Sequence, residues 1–164
     1  MKKADGWMID GNPEQYEFGV DEETIHNESP GLTIKFSAAE EPTGFGSLCR
    51  NLDVEKYLDK RLRITAFVKT EHVDGAGLWM RVDAKDADQP LAFDNMSTRQ
   101  IKNTTDWKRY EVVLDVPGKA SQICYGAVLT GKGQMWVADF NFEEVGNDVA
   151  TTVKKPRKTA ARAS

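Results

Sequence analysis

Between Gly77 and Asp83 the chain alternates without a break: Leu78, Met80 and Val82 fall on one side, Trp79, Arg81 and Asp83 on the other. Successive side chains of a strand point to opposite faces, so this period of two predicts a strand with one face in a core. The pattern recurs. Residues 32–36 (LTIKF) alternate, and residues 61–69 put Leu62, Ile64, Ala66 and Val68 inward with Arg63, Thr65, Phe67 and Lys69 outward. Residues 107–116 set Tyr110, Val112, Leu114 and Val116 on one face, while residues 45–52 and the short 91–94 read as further strands. Residues 123–129 are apolar on both faces apart from Gly126, as a strand covered on each side would be. Residues 135–145 gather Trp136, Ala138, Phe140 and Phe142 on one face, opposite Val137, Asp139, Asn141 and Glu143, which makes Trp136 a core residue.

Turn signals separate these runs: Ser29-Pro30-Gly31, Pro42-Thr43-Gly44, Pro117-Gly118, and the hairpin-like Gly131-Lys132-Gly133. Helical periodicity is confined to one turn at 53–57, with Asp53 as its cap. Many short strands with Gly/Pro-marked turns predict an all-β fold, an antiparallel β-sandwich or jelly roll, and exclude Rossmann and P-loop architectures. A length of 164 residues suits one such domain, over 6–146, with a flexible start at 1–5 and a flexible basic tail at 147–164.

Charge divides the chain unevenly. Residues 154–164 (KKPRKTAARAS) hold five basic residues and no acid, and the rest holds 17 basic against 26 acidic residues, a net of −9. An acidic body argues against nucleic-acid binding by the domain, leaving at most weak phosphate contacts by the tail. No apolar run approaches the ~18 residues that span a bilayer. Lys2-Lys3 is followed by Ala4-Asp5-Gly6 rather than an apolar stretch, so the expected location is cytoplasmic. Cys49 and Cys124 lack CxxC spacing; reduced thiols are expected there, with one disulfide left open. His26 and His72 sit in polar, turn-like surroundings and form no metal motif.

Gly6-Trp7, Gly19-Val20-Asp21, LRITAFVKT at 62–70, GLWMRVD at 77–83, AFDNM at 92–96, TTDWKRYEVVLDVP at 104–117 and QMWVADFNFEEV at 134–145 share a further property. Together they resemble the galactose-binding-like jelly rolls, which include carbohydrate-binding modules and a variant that accompanies bacterial transcription regulators. The resemblance covers roughly residues 6–146. It implies ligand binding on an exposed concave sheet face or in loops at one edge. It also implies a structural calcium held by adjacent acids in the last strand. Here the matching dipeptide is Ala138-Asp139, so Asp139 is a weak calcium candidate with one acid missing.

Candidate chemistry sits on the outward faces. Trp79 offers a ring that stacks on a sugar, with Arg81 and Asp83 beside it to hydrogen-bond hydroxyls. The plainer alternative has a loop over Trp79 and Arg81 paired with Asp83. Phe67 is expected near Trp79, and Asp94 and Asn95 at the rim. Asp94 or Asn95 equally suits a turn held by its own side chain, with Arg99 placed to pair with Asp94. Trp107 is expected to cap one end of the core. No GxSxG, Cys-His or metal triad is present, so a non-catalytic module is expected, its ligand a carbohydrate or another polyhydroxylated compound. The alternative is a protein-interaction or effector-sensing domain of bacterial regulation, with a regulatory protein as partner.

Overall fold

The computed structural model describes residues 1–153, and the basic segment 154–164 lies outside them. Nine strands follow in order: β1 (Met8–Gly11), β2 (Tyr16–His26), β3 (Ser29–Phe36), β4 (Phe45–Leu52), β5 (Lys60–Ala84), β6 (Ala92–Asp94), β7 (Ile101–Val116), β8 (Ala120–Thr130) and β9 (Gln134–Val145). Among the described residues the single helical element is a 3-10 turn, Val54–Lys56, capped by the Asp53 carboxylate accepting from Glu55 N–H at 3.2 Å.

Strand β5 builds both layers. Its first arm pairs with β7 and β9, and its second, from Gly75, pairs with β8 and β6. Between the arms His72 takes a positive φ of 52°, and the register with β7 slips repeatedly from Val68 to Ala76. One layer is therefore β2-β3-β9-β5-β7 and the other β1-β4-β8-β5-β6, all antiparallel. This is the sandwich that the alternation predicts. Leu62, Ile64, Ala66 and Val68 of the first arm face Leu78, Met80 and Val82 of the second, and all are buried with Leu48, Val112, Leu114, Ile123, Leu129 and Met135. Burying one such side chain contributes ~1.5–3 kcal/mol.

Several local readings change. Strands β1 and β2 are edges whose exposed positions carry Asp10, Glu17, Glu22 and Glu23, so their alternation is masked by the charge that protects a free edge. On β9, Thr65 pairs with Asn141 but Phe67 with Ala138, so three steps of β9 oppose two of β5. The extra residue is accommodated at Asp139, whose φ is 57°. This bulge reverses the facing. Met135 and Val137 point into the core before it, and Phe140 and Phe142 pack on the core after it. Trp136 is buried, as expected, but on the face away from Met135, with its Nε1 donating to Asp21 at 3.0 Å.

Both ends of the described segment are tied. Lys2 bridges to Val20 and Ala4 is buried. Thr152 donates its N–H to Val113 O at 2.9 Å and accepts the Val113 N–H on its hydroxyl at 2.9 Å. The segment through 153 is thus stitched to β7 rather than free.

Candidate ligand groove

The outward face of β1-β4-β8-β5-β6 is open. Trp79 on β5 lies opposite Gly126 on β8, which lies opposite Cys49 on β4. The Trp79 Nε1–H reaches past β8 to Ser47 Oγ on β4, at 3.0 Å. The indole therefore crosses β8 beside a residue with no side chain. Gly126 is fixed for a second reason: a Cβ there would stand 1.7 Å from Leu48 O.

Around the indole is a groove of about 750 Å3, within the size range of small-molecule sites. Arg81 and Asp83 flank it, the Arg81 Nε donating to both Asp83 oxygens at 3.0 Å. Both hydrogen bonds use Nε, so Nη1 and Nη2 have no partner among the described residues. Asn95 lines the rim and accepts the Ser97 N–H at 3.0 Å, the Asx turn expected of it. Phe45 and Phe93, each 41% exposed, line the groove from β4 and β6.

The floor carries both cysteines. Each is free and half-buried, and Cys124 donates its S–H to Asn51 Oδ1 at 2.9 Å. Burial pushes both thiols up. At Cys49 the neighbouring Cys124 and Asp10 add to the rise; at Cys124 Asp83 raises it further and Arg81 opposes. Strand β8 is consequently not covered on both sides: Ile123, Tyr125, Ala127 and Leu129 enter the core, while Cys124 and Val128 line the groove.

Of the residues singled out in the sequence, Trp79, Arg81, Asp83 and Asn95 meet in this groove. Asp94, Arg99 and Phe67 do not. Asp94 points between the layers and is 4% exposed. Its carboxylate accepts from Arg99 Nη2 at 2.7 Å, Arg99 Nη1 at 3.2 Å, Thr152 Oγ1 at 2.6 Å and Met96 N at 2.8 Å. Burial works against that charge, yet these donors hold its carboxyl below the usual range. Phe67 lies on the outer face of the other layer, because the bend in β5 carries residues 67 and 79 to opposite sides of the sandwich. It stacks on His26 at 4.0 Å, and Trp107 is 5.3 Å from the same ring, so neither His26 nor Trp107 sits where expected.

Asp139 belongs to this second cluster. Its oxygens are taken by His26 Nδ1 and Ser29 Oγ, both at 2.6 Å. Burial opposes its ionisation, and the Ser29 and His26 hydrogen bonds bring its carboxyl below the usual range. A calcium ion wants six to eight oxygens. A carboxylate shared between a ring nitrogen and a hydroxyl, with no group of three acidic, His or Cys side chains among the described residues, does not fit that ion.

Solved structures place the architecture. The xylan-binding CBM22-1 domain of Paenibacillus barcinonensis Xyn10C superposes with a TM-score of 0.62 at 12% identity, over 88% of this chain and 89% of that one. The chain has the fold of the carbohydrate-binding jelly rolls. The C-terminal family 22 carbohydrate-binding module of Clostridium thermocellum Xyn10B gives a TM-score of 0.60 at 9% identity, covering 93% of this chain and 91% of that one. At the level of sequence, an uncharacterised HTH-type transcriptional regulator of Bacillus subtilis (strain 168), YbfP, is 41% identical over 153 residues, 92% of this chain. The chain spans about half the length of that relative, 52%. No protein-family model matches the chain. Among the described residues no helix is long and apolar enough to cross a membrane.

Proposed function

We propose that this domain is a non-catalytic ligand-binding module that takes a carbohydrate, or a similar polyhydroxylated compound, in the groove over Trp79. One observation carries the reading: the Trp79 indole is anchored at its nitrogen by Ser47, with Arg81, Asp83 and Asn95 around it in one groove. A pinned indole offers a face for sugar C–H groups, and the polar groups beside it exchange hydrogen bonds with hydroxyls. The family 22 modules of similar fold, one of them described as xylan-binding, support the same chemistry.

Likeness to the regulator YbfP supports a setting in bacterial transcription control, inside the cytoplasm, with the groove as an effector site. In that setting a protein-interaction role without sugar preference is the second reading. Calorimetric titration of xylohexaose and β-1,4-galactotriose, within a wider panel of neutral oligosaccharides, separates the two. Sugar binding predicts a saturable heat that falls at least tenfold in affinity in Trp79→Ala. Equal affinity in that variant removes the groove as the site. Silence across the panel, with capture of a DNA-binding regulator, favours the second reading.

A further inference from the structure

We propose that the groove selects uncharged glycans and rejects their phosphorylated and uronate-bearing counterparts, an inference that rests on the sugar-binding reading above. Among the described residues three charged side chains line the groove: Asp10, Arg81 and Asp83. The Arg81 guanidinium pairs with Asp83 through Nε alone, so the two charges cancel and Asp10 is left as net negative charge. Asp10 accepts the N–H of Gly11 at 2.8 Å and makes no ion pair among the described residues. Every other polar lining group is neutral: Ser47, Asn95, Gln122 and Thr130, with the two thiols.

Phosphate and carboxylate sites are built from other parts. They use clustered Arg or Lys forks, or the N–H groups at a helix N-terminus. Among the described residues no lysine lines this groove, and the single helical element is a 3-10 turn of three residues. Burial is the main reason both floor thiols sit high; among the charges, Asp10 adds to the rise at Cys49 and Asp83 outweighs Arg81 at Cys124. Beyond the groove, the chain carries a formal net charge of −4, which repels anions at longer range. Carboxylates at such a site accept hydrogen bonds from sugar hydroxyls, a role that an anionic ligand would oppose. Hydrolysis of a neutral glycan therefore yields the kind of ligand expected here, and phosphoryl transfer to a sugar does not.

The two cysteines allow a test that needs no known ligand, because both lie on the groove floor and the chain has no others. Cys124→Ser is treated with a cationic (trimethylammonium-ethyl) and an anionic (sulfonato-ethyl) methanethiosulfonate, and the labelling rates of Cys49, the thiol on which Asp10 acts, are divided by those of free cysteine. One net negative charge near the thiol predicts a ratio of about five- to tenfold in favour of the cation at low salt, closing near 1 M salt. Asp10→Asn combined with Asp83→Asn should bring the ratio below one by freeing Arg81. A normalised wild-type ratio at or below one overturns the charge selection, whatever sugars do.

Calorimetry adds matched pairs: xylohexaose against a glucuronate-branched xylo-oligosaccharide, and cellobiose against cellobiose 6-phosphate. At least a tenfold preference for the neutral member supports the proposal, and equal or tighter binding of the anion overturns it. A cation-favouring thiol ratio with no binding of any neutral glycan overturns the sugar reading and leaves the exclusion of anions standing.

Discussion

Replacing Asp94 by Asn is expected to destabilise the domain more than a conservative change at any of the polar side chains that line the groove. Asp94 is 4% exposed and accepts four hydrogen bonds, two of them from Arg99. Its neutral amide retains the shape but removes the countercharge of a guanidinium that also donates to Glu111 O at 3.0 Å. Breaking such a buried pair costs ~3–5 kcal/mol; with the Arg99 side chain 33% exposed, the low end, ~3 kcal/mol, applies. For a domain of this size that is a Tm lower by about 6–12 °C.

The pH dependence gives an independent sign. The Asp94 carboxyl is held below its ordinary value in the folded state, so its stabilisation is complete above the unfolded carboxylate pKa of ~3.9 and fades as pH falls through the folded value. Wild type and Asp94→Asn should therefore differ fully at pH 7 and converge in acid. Calorimetric scans at pH 7, 5 and 3.5 measure this. A gap under about 1 °C at pH 7, or one that widens in acid, refutes the assignment of Asp94 as an ionised anchor.

Other expectations concern the groove and the second cluster. Ser47→Ala should weaken glycan binding by roughly three- to tenfold, the effect of one hydrogen bond, while Tm moves by less than about 3 °C. Calorimetry and thermal melts on the same sample check both halves. Gly126→Ala should fail to accumulate as folded protein or melt at least 10 °C lower, roughly, because its methyl meets a carbonyl oxygen in β4. Calcium at millimolar concentration, or a chelator, should leave Tm unchanged within about 1 °C, since Asp139 is already held by His26 and Ser29. Thr152→Val should lower stability by ~1–3 kcal/mol in urea melts, because it strands the buried Val113 N–H and removes a donor from Asp94.

The groove face was legible where a strand is open on one side. At 77–83 an apolar face and a chemically specific face alternate, and both survive in the structure. The neighbouring strand β8 shows why the rest was hidden: a groove lined by Cys124 and Val128 has the same composition as a buried face. Contributions from Ser47, Phe45 and Gln122 depend on inter-strand register, which single-strand periodicity does not contain. Phe67 was misplaced because spacing along one strand says nothing about a bend at His72. On β9 the parity failed at one residue, Asp139, whose αL conformation has no hydrophobic signature. Asp94 and Arg99 were paired correctly from proximity in sequence, but the Thr152 hydroxyl that also donates to Asp94 lies 58 positions away.

Strand β5 runs unbroken for 25 residues through both layers, and that continuity constrains how the groove responds to a ligand. The two sheets share a backbone, so they cannot swing apart like the lobes of a hinged receptor without tearing the hydrogen bonds on either side of β5. A ligand therefore meets a floor already assembled. Its residence time is set by how well it fits that surface.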